Sequence, residues 1–244
     1  MKILGIIPAR YASTRFPGKP LVQINGKSMI QRVYEQAKKA KGLTEVIVAT
    51  DDERIAQEVK GFGGDFLITS DQHQSGTDRC AEVVDILQGF DVVINIQGDE
   101  PYIDPIQIEL LISCFEDQSV GLATLIKKIN TEEELFNVNI PKVLIDKNQQ
   151  AIYFSRQTIP YLRGIEQTQW LEKYQYYKHI GIYGYTSNVL KEITRLPPSS
   201  LELAESLEQL RWIENGYDIQ TRVTEIETIS IDSPEDLHKI DAQL

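Results

Sequence analysis

Short apolar runs alternate with stretches of helical periodicity through the first half of this 244-residue chain, and that rhythm limits its fold more than any other feature. It predicts strands at 2–7, 45–50, 65–68, 91–96 and 120–126. Between them it predicts helices from Ser28 to Lys41, from Asp52, from Thr77, and over 105–116. The first helix shows the logic: Met29, Ile30, Val33, Ala37 and Ala40 fall on one face, while Gln31, Glu35 and Lys39 fall elsewhere. Strands that alternate with helices build βαβ units, so the expectation is an α/β fold with a mostly parallel sheet flanked by helices.

Beyond about residue 127 the pattern changes. Strands at 142–146 and 151–155, separated by the polar turn Lys147-Asn148-Gln149-Gln150, predict a hairpin in an inserted β element. The stretch Tyr176 to Tyr185 is aromatic and punctuated by glycine; Tyr176, Tyr177, Tyr183 and Tyr185 suit packing within that element or across a dimer. A helix is expected from Ser200 to Asn215, stopped by Gly216. The segment 229–231 reads as a strand ending at Asp232, followed by a helix with Ser233 as N-cap and Pro234 in its first position. The length fits one domain: a core over 1–127, the insert over about 128–200, and returning elements over about 200–244.

Charge is distributed unevenly. The formal net charge is -11, yet residues 1–34 contain six Lys or Arg and no acid, leaving 19 bases against 36 acids in the rest. Arg10, Arg15 and Lys19 follow the first strand, at the rim where open α/β sheets bind ligands, which predicts an anion, most simply phosphate. The acidic remainder argues against nucleic acid. No apolar run reaches the roughly 20 residues of a membrane span. Cys80, Cys114 and three histidines give no zinc spacing, and free thiols suit a reducing compartment, so a cytoplasmic location is expected.

Two familiar nucleotide motifs fail. Gly26-Lys27-Ser28 resembles the tail of a P-loop, but Leu21 stands where the first glycine belongs, and Asn25-Gly26 reads as a hairpin turn. No strand leads into G-x-G-x-x-G. What remains is a constellation around the basic loop. Asp99, in Gln97-Gly98-Asp99-Glu100-Pro101, and Asp232 both sit where strands should end, and few carboxylates with phosphate oxygens suit magnesium. Taken singly, Asp99 also suits a turn acid and Asp232 an accessory to the Ser233 cap. Ser75-Gly76-Thr77-Asp78-Arg79 opens a helix whose N-terminal amides suit either simple capping or a nucleotide.

Ile7 to Pro20, Ser75 to Arg79, Gln97 to Pro101, Tyr153 to Pro160, His179 to Tyr185, Leu207 to Arg211 and Asp232 to Asp236 together resemble the 3-deoxy-manno-octulosonate (KDO) cytidylyltransferases, the CMP-KDO synthetases of Gram-negative bacteria. The resemblance covers nearly the whole chain in order. It implies a GT-A-like nucleotidyltransferase fold, usually dimeric, with an inserted β subdomain used for dimerisation and acceptor binding. It also implies conversion of CTP and KDO to CMP-KDO and pyrophosphate for lipopolysaccharide synthesis. By the same resemblance Ala9, Arg10, Ser13, Arg15, Lys19, Ser75, Thr77, Arg79, Gly98 and Asp99 would bind the nucleotide. Asp99 and Asp232 would hold magnesium, two ions with both substrates bound, and Gln97, Arg156, His179, Tyr183, Glu205 and Gln209 would meet the sugar acid. Arg10, Lys19, Asp99 and Asp232 would carry the chemistry. One departure is Asn137-Val138-Asn139-Ile140-Pro141, where the family more often sets its proline between the asparagines, which puts the hairpin geometry in question. A sialic acid or an amino analogue of KDO as acceptor, and a noncatalytic nucleotide-sugar sensor, are the rival readings.

Overall fold

Strand β1 (Ile3–Ala9) is apolar on both faces, and the reason is its place in the middle of a sheet. Ile3, Ile7 and Ala9 point into one core and Leu4 and Ile6 into the other, as the period of two along a strand requires. The computed structural model describes residues 1–12, 16–228, 230–231 and 233–237.

After β1 come a two-stranded hairpin, β2 (Gln23–Ile24) and β3 (Lys27–Ser28), then α1 (Met29–Ala37), β4 (Glu45–Thr50), α2 (Glu53–Gly61), β5 (Phe66–Ile68), α3 (Gly76–Ile86) and β6 (Val92–Asn95). The chain continues through α4 (Pro105–Ser113), β7 (Leu122–Lys128), α5 (Glu132–Phe136), β8 (Lys142–Ile145), β9 (Ala151–Ser155) and α6 (Trp170–Lys173). It ends with β10 (Tyr177–Thr186), α7 (Ser187–Ile193), α8 (Ser200–Glu205), α9 (Gln209–Glu214) and β11 (Gln220–Val223). The main sheet runs β11-β7-β10-β6-β1-β4-β5, and β8 and β9 branch from β10. Along that path only β10 is antiparallel to its neighbours, so the mostly parallel α/β architecture predicted from the sequence is what the chain adopts.

The helices cover both faces. Ile30 and Val33 of α1, Ile55 and Val59 of α2, and Ile108 and Leu111 of α4 pack on one side. Cys80 and Val83 of α3, Leu190 of α7 and Trp212 of α9 pack on the other. Both cysteines are free and buried, and burial raises the thiol pKa of each. Asn25 and Gly26 take positive φ between β2 and β3, so this pair is the expected hairpin turn, and Ser28 caps α1 by accepting from Gln31 N.

Several expectations need correction. The helix over 200–215 is two helices, because Ser206 takes a left-handed φ of 53° and stops α8 before α9 begins. The stretch over 128–200 is not wholly an insert: β10 lies in the middle of the main sheet, and only its first residues, Tyr177 and Lys178, pair with β8. Ser230 and Ile231 form no strand; Ile231 N instead donates to the Asp99 carbonyl at 2.9 Å. The β8–β9 hairpin forms despite its displaced proline. Lys142 Nζ ties down the Asn137 and Ile140 carbonyls, fixing the segment that leads into it.

Candidate active site

Three chain segments meet at the carboxyl ends of β1 and β6 and the N-terminus of α3. They enclose a cleft of about 270 Å³ lined by Ala9, Arg10, Lys19, Ser75, Arg79, Gln97, Gly98 and Asp99, with His73 beside them. The approach is close enough to dictate a residue: a Cβ on Gly98 would stand 2.9 Å from the Pro8 carbonyl oxygen. Arg10, Lys19 and Arg79 face this space with Asp99, the one carboxylate among the described lining residues. An anion is therefore favoured there in spite of the negative total charge.

Lys19 is delivered by a sharp turn. Gly18 takes φ 72°, and its N–H returns to the Tyr11 carbonyl at 2.9 Å. The ammonium of Lys19 then donates to Asp99 Oδ2 at 2.7 Å and to the Ile231 carbonyl at 2.9 Å. Ser75 caps α3 in a reciprocal box with Asp78, leaving the α3 N-terminus at the cleft wall. Ser13, Arg15 and Asp232 lie outside the described residues.

Two expected nucleotide contacts have other partners. The Thr77 hydroxyl is buried and donates to Glu208 at 2.7 Å, so it faces the protein interior. Arg79 lies at the cleft floor, 3% exposed, bonded through Nη1 to Thr69 Oγ1 at 2.5 Å and 3.4 Å from Asp51. It presents a fixed charge more than a mobile hand.

A second group of polar side chains lies on β9, β10 and α9. His179 and Tyr183 are four residues apart on β10, too far for contact along a regular strand. A bulge between Ile180 and Tyr183 shortens the path, and their ring centroids stand 5.1 Å apart. Thr124 fastens the bulge, donating its one hydroxyl hydrogen to the Ile182 carbonyl at 2.7 Å. Toward His179 Nε2, at 3.0 Å, the hydroxyl must then act as acceptor. The ring carries its hydrogen on Nε2 and offers Nδ1 as a lone pair. Burial pushes the His179 pKa down to about 3, so the ring is neutral.

Phe154 of β9 meets the His179 ring edge-on at 5.3 Å, and Arg156 stands two residues along the same chain. The Arg156 guanidinium donates to the carbonyls of Glu205, Ser206 and Val138, which uses three of its five N–H groups. The carboxylate of Glu205 is occupied by Ser155 Oγ and Arg156 N, at 2.7 and 2.9 Å. Through these bonds Glu205 holds the arginine segment in place. Trp212 stands edge-on to both Tyr183 and Tyr185, and Gln209 lies one turn before it on α9. The Tyr183 hydroxyl and Gln209 Nε2 are buried with no hydrogen-bond partner among the described residues, a costly arrangement unless a ligand supplies one. Tyr183 pairs in register with Asn95, two residues before Gln97 of the cleft lining.

Sequence reasoning missed Glu208, whose carboxyl is raised in pKa by burial even with Thr77 and Ser75 donating to it. It missed Glu100, 8% exposed and bonded by the Thr228 hydroxyl at 2.7 Å. It also missed His73, held through Nε2 by Glu82 at 2.5 Å. A polar residue beside a recognised motif was the available signal in each case, and it does not say which way a side chain turns.

Among the described residues no three His, Cys, Asp or Glu side chains converge as a metal cage. The described residues of the cleft lining hold one carboxylate and no thiol, a set that fits a hard cation taking most of its ligands from phosphate and water.

Residues 4–223 match the family model for cytidylyltransferases. The 3-deoxy-manno-octulosonate cytidylyltransferase of Parabacteroides distasonis is 59% identical, with 98% of this chain and 96% of that protein covered. The protein of the same name from Porphyromonas gingivalis is 50% identical, with 100% and 96% covered. A CMP:2-keto-3-deoxy-manno-octonic acid synthetase solved in complex with CTP superposes with a TM-score of 0.93 at 44% identity, covering 100% of this chain and 98% of that one. A cytidylyltransferase from Leptospira borgpetersenii, 17% identical with a TM-score of 0.65 and covering 99% and 86%, shares the fold. On this likeness, sustained across nearly every residue, the chain belongs to the 3-deoxy-manno-octulosonate cytidylyltransferase family.

Proposed function

We propose that the protein transfers CMP from CTP to 3-deoxy-D-manno-octulosonate, giving CMP-KDO and pyrophosphate by in-line attack of a sugar hydroxyl on the α-phosphate. The observation that carries this is the cationic cleft, with one carboxylate among its described lining residues, together with a polar group on β10 and α9 whose buried hydroxyl and amide have no partner among the described residues.

Both reactants are anions. Two unit charges about 6 Å apart repel by roughly 3 kcal/mol at an effective dielectric of 20, and a triphosphate multiplies that. Arg10 and Lys19 would offset phosphate charge. Gly76 and the α3 N-terminus would offer N–H donors, with Ser75 lining the wall, while Arg79 sets the potential of the floor. Ser13 and Arg15 are assigned to the cytosine by family resemblance; unchanged CTP affinity in Arg15→Ala would remove that role.

On the acceptor side, Arg156 keeps two N–H groups beyond its three carbonyl contacts, enough for a carboxylate fork. His179 Nδ1 would accept a sugar hydroxyl, Tyr183 and Gln209 would gain the partners they lack, and Gln97 would bridge to the nucleotide. Asp99 and Asp232 would hold magnesium, two ions with both substrates bound. The metal, when bound, neutralises developing charge and lowers the pKa of the attacking hydroxyl.

A homodimer is part of the proposal. Phe136, Val138, Ile152 and Tyr161 are exposed apolar side chains of the hairpin region, and Phe136 and Tyr161 both pack on Trp170. Sedimentation at micromolar concentration tests it, a monomer removing it. No helix of the described residues is long and apolar enough to cross a membrane, and a cytoplasmic site of action agrees with free thiols and these substrates.

The test of the activity is pyrophosphate release in magnesium buffer, with KDO or N-acetylneuraminic acid as acceptor and CTP or UTP as donor. Release with CTP and KDO is expected. Release only with the sialic acid would transfer the reading to that acceptor, and CTP binding without release would favour a sensor.

A further inference from the structure

The segment from Thr224 to Ile231 has no regular structure among its described residues, yet it runs against the Asp99 turn and is sewn to it. Thr228 Oγ1 donates to Glu100 Oε2 at 2.7 Å, Ile231 N donates to the Asp99 carbonyl at 2.9 Å, and Gln107 Nε2 reaches the Ile226 carbonyl at 3.3 Å. Lys19 closes the loop of contacts, since its ammonium bonds the Asp99 carboxylate and the Ile231 carbonyl together. Ile231 is fully buried beside Ile24 and Met29, which anchors the far end of the strap. Glu100 is a buried carboxyl that lines no part of the cleft, so its use lies in what it holds.

We propose that Glu100 and Thr228 are positioning residues, a side-chain clasp that fixes the strap across the Asp99 turn and so sets where Asp99 and Lys19 stand toward metal and triphosphate. The inference rests on the reading that Asp99 is a metal ligand. The physical case is one of order. A loop without ladder hydrogen bonds keeps a single path only through its specific contacts. The clasp is the one side-chain to side-chain bond described between this strap and the turn, and it lies one residue from Asp99. Without it, the strap meets the turn through the Ile231 N–H and the buried Ile231 side chain, and the carbonyl that seats the Lys19 ammonium is held less firmly.

The test is Mn²⁺ binding to the protein saturated with CTP, read by the loss of free-ion signal in electron paramagnetic resonance, for wild type, Thr228→Val, Thr228→Ser, Glu100→Gln and Asp99→Asn. Thr228→Val keeps the shape and removes the donor, and it should weaken Mn²⁺ binding about tenfold, the size of one hydrogen bond to a charged group. Thr228→Ser should restore wild-type binding, and melting temperature should stay close to wild type in both. Glu100→Gln keeps an amide oxygen that accepts from the Thr228 hydroxyl and should bind Mn²⁺ close to wild type, so the threonine pair decides. If Thr228→Val binds Mn²⁺ like wild type while Asp99→Asn has lost it, the clasp is overturned and the metal reading stands. If Thr228→Val weakens binding but Thr228→Ser does not restore it, the clasp is likewise overturned. If Asp99→Asn also binds like wild type, the metal reading falls and the clasp falls with it.

Discussion

Lys19 Nζ stands 2.7 Å from Asp99 Oδ2, joining two residues 80 positions apart at the mouth of a cationic cleft. Each holds the other in the geometry that a phosphate and a metal would exploit. Asp99→Asn keeps the shape and removes the charge, and kcat should fall by about a hundredfold or more, as loss of preorganised charge stabilisation does. Pyrophosphate release measures it, and near-normal turnover would refute the assignment.

Gly98 precedes Asp99 and has no room for a side chain. With a Cβ placed 2.9 Å from the Pro8 carbonyl, Gly98→Ala must push apart two neighbouring strand ends. Overpacking of this kind costs about 1–3 kcal/mol, so urea unfolding should shift by that amount and turnover should drop as Asp99 moves. Unchanged midpoint and turnover would show that the strands yield freely.

Glu205 keeps Arg156 in place through Ser155 Oγ and the Arg156 main chain. Glu205→Gln weakens both bonds and should raise KM for KDO by about tenfold, the effect of roughly 1.4 kcal/mol, while KM for CTP stays near wild type. An equal rise in both constants would place the arginine elsewhere in the reaction.

Desolvation pushes the His179 pKa down to about 3 in the folded protein against 6.5 for a free ring, so between those values the unfolded chain binds more protons. Stability from this group is fully present above pH 6.5 and is lost as pH falls toward 3, by up to about 1.4 kcal/mol per unit. Buried Glu100, pushed up to about 7 by burial and by neighbouring Asp99, acts in the opposite sense: stability it contributes below 4.5 is lost as pH rises to 7. The two offset each other between 4.5 and 6.5, leaving His179 to dominate below 4.5. Denaturant melts in a chelator should show His179→Gln losing less stability than wild type between pH 4.5 and 3.5. Parallel losses would mean that the ring is not what acid attacks.

Trp212 is 1% exposed and braces Tyr183 and Tyr185 edge-on. Trp212→Ala should destabilise the protein by about 3–5 kcal/mol, read from urea melts, with KM for KDO rising as Tyr183 loses its support. A cost under 1 kcal/mol would mean that the site collapses around the gap.

The sequence by itself determined the architecture and the cationic rim. Helical and strand periodicities record which faces are buried, and Arg10, Arg15 and Lys19 follow a strand whose carboxyl end must lie at the rim of the sheet. The Asn25-Gly26 turn, the Ser75 cap and the 142–155 hairpin were equally legible, because each depends on residues close together in the chain. Only tertiary structure decided that Thr77 turns inward to Glu208, that Glu205 braces Arg156, and that a bulge sets His179 against Tyr183. Those outcomes depend on partners between 49 and 131 residues away and on which unpaired polar group burial would penalise most, and a local pattern carries no record of either.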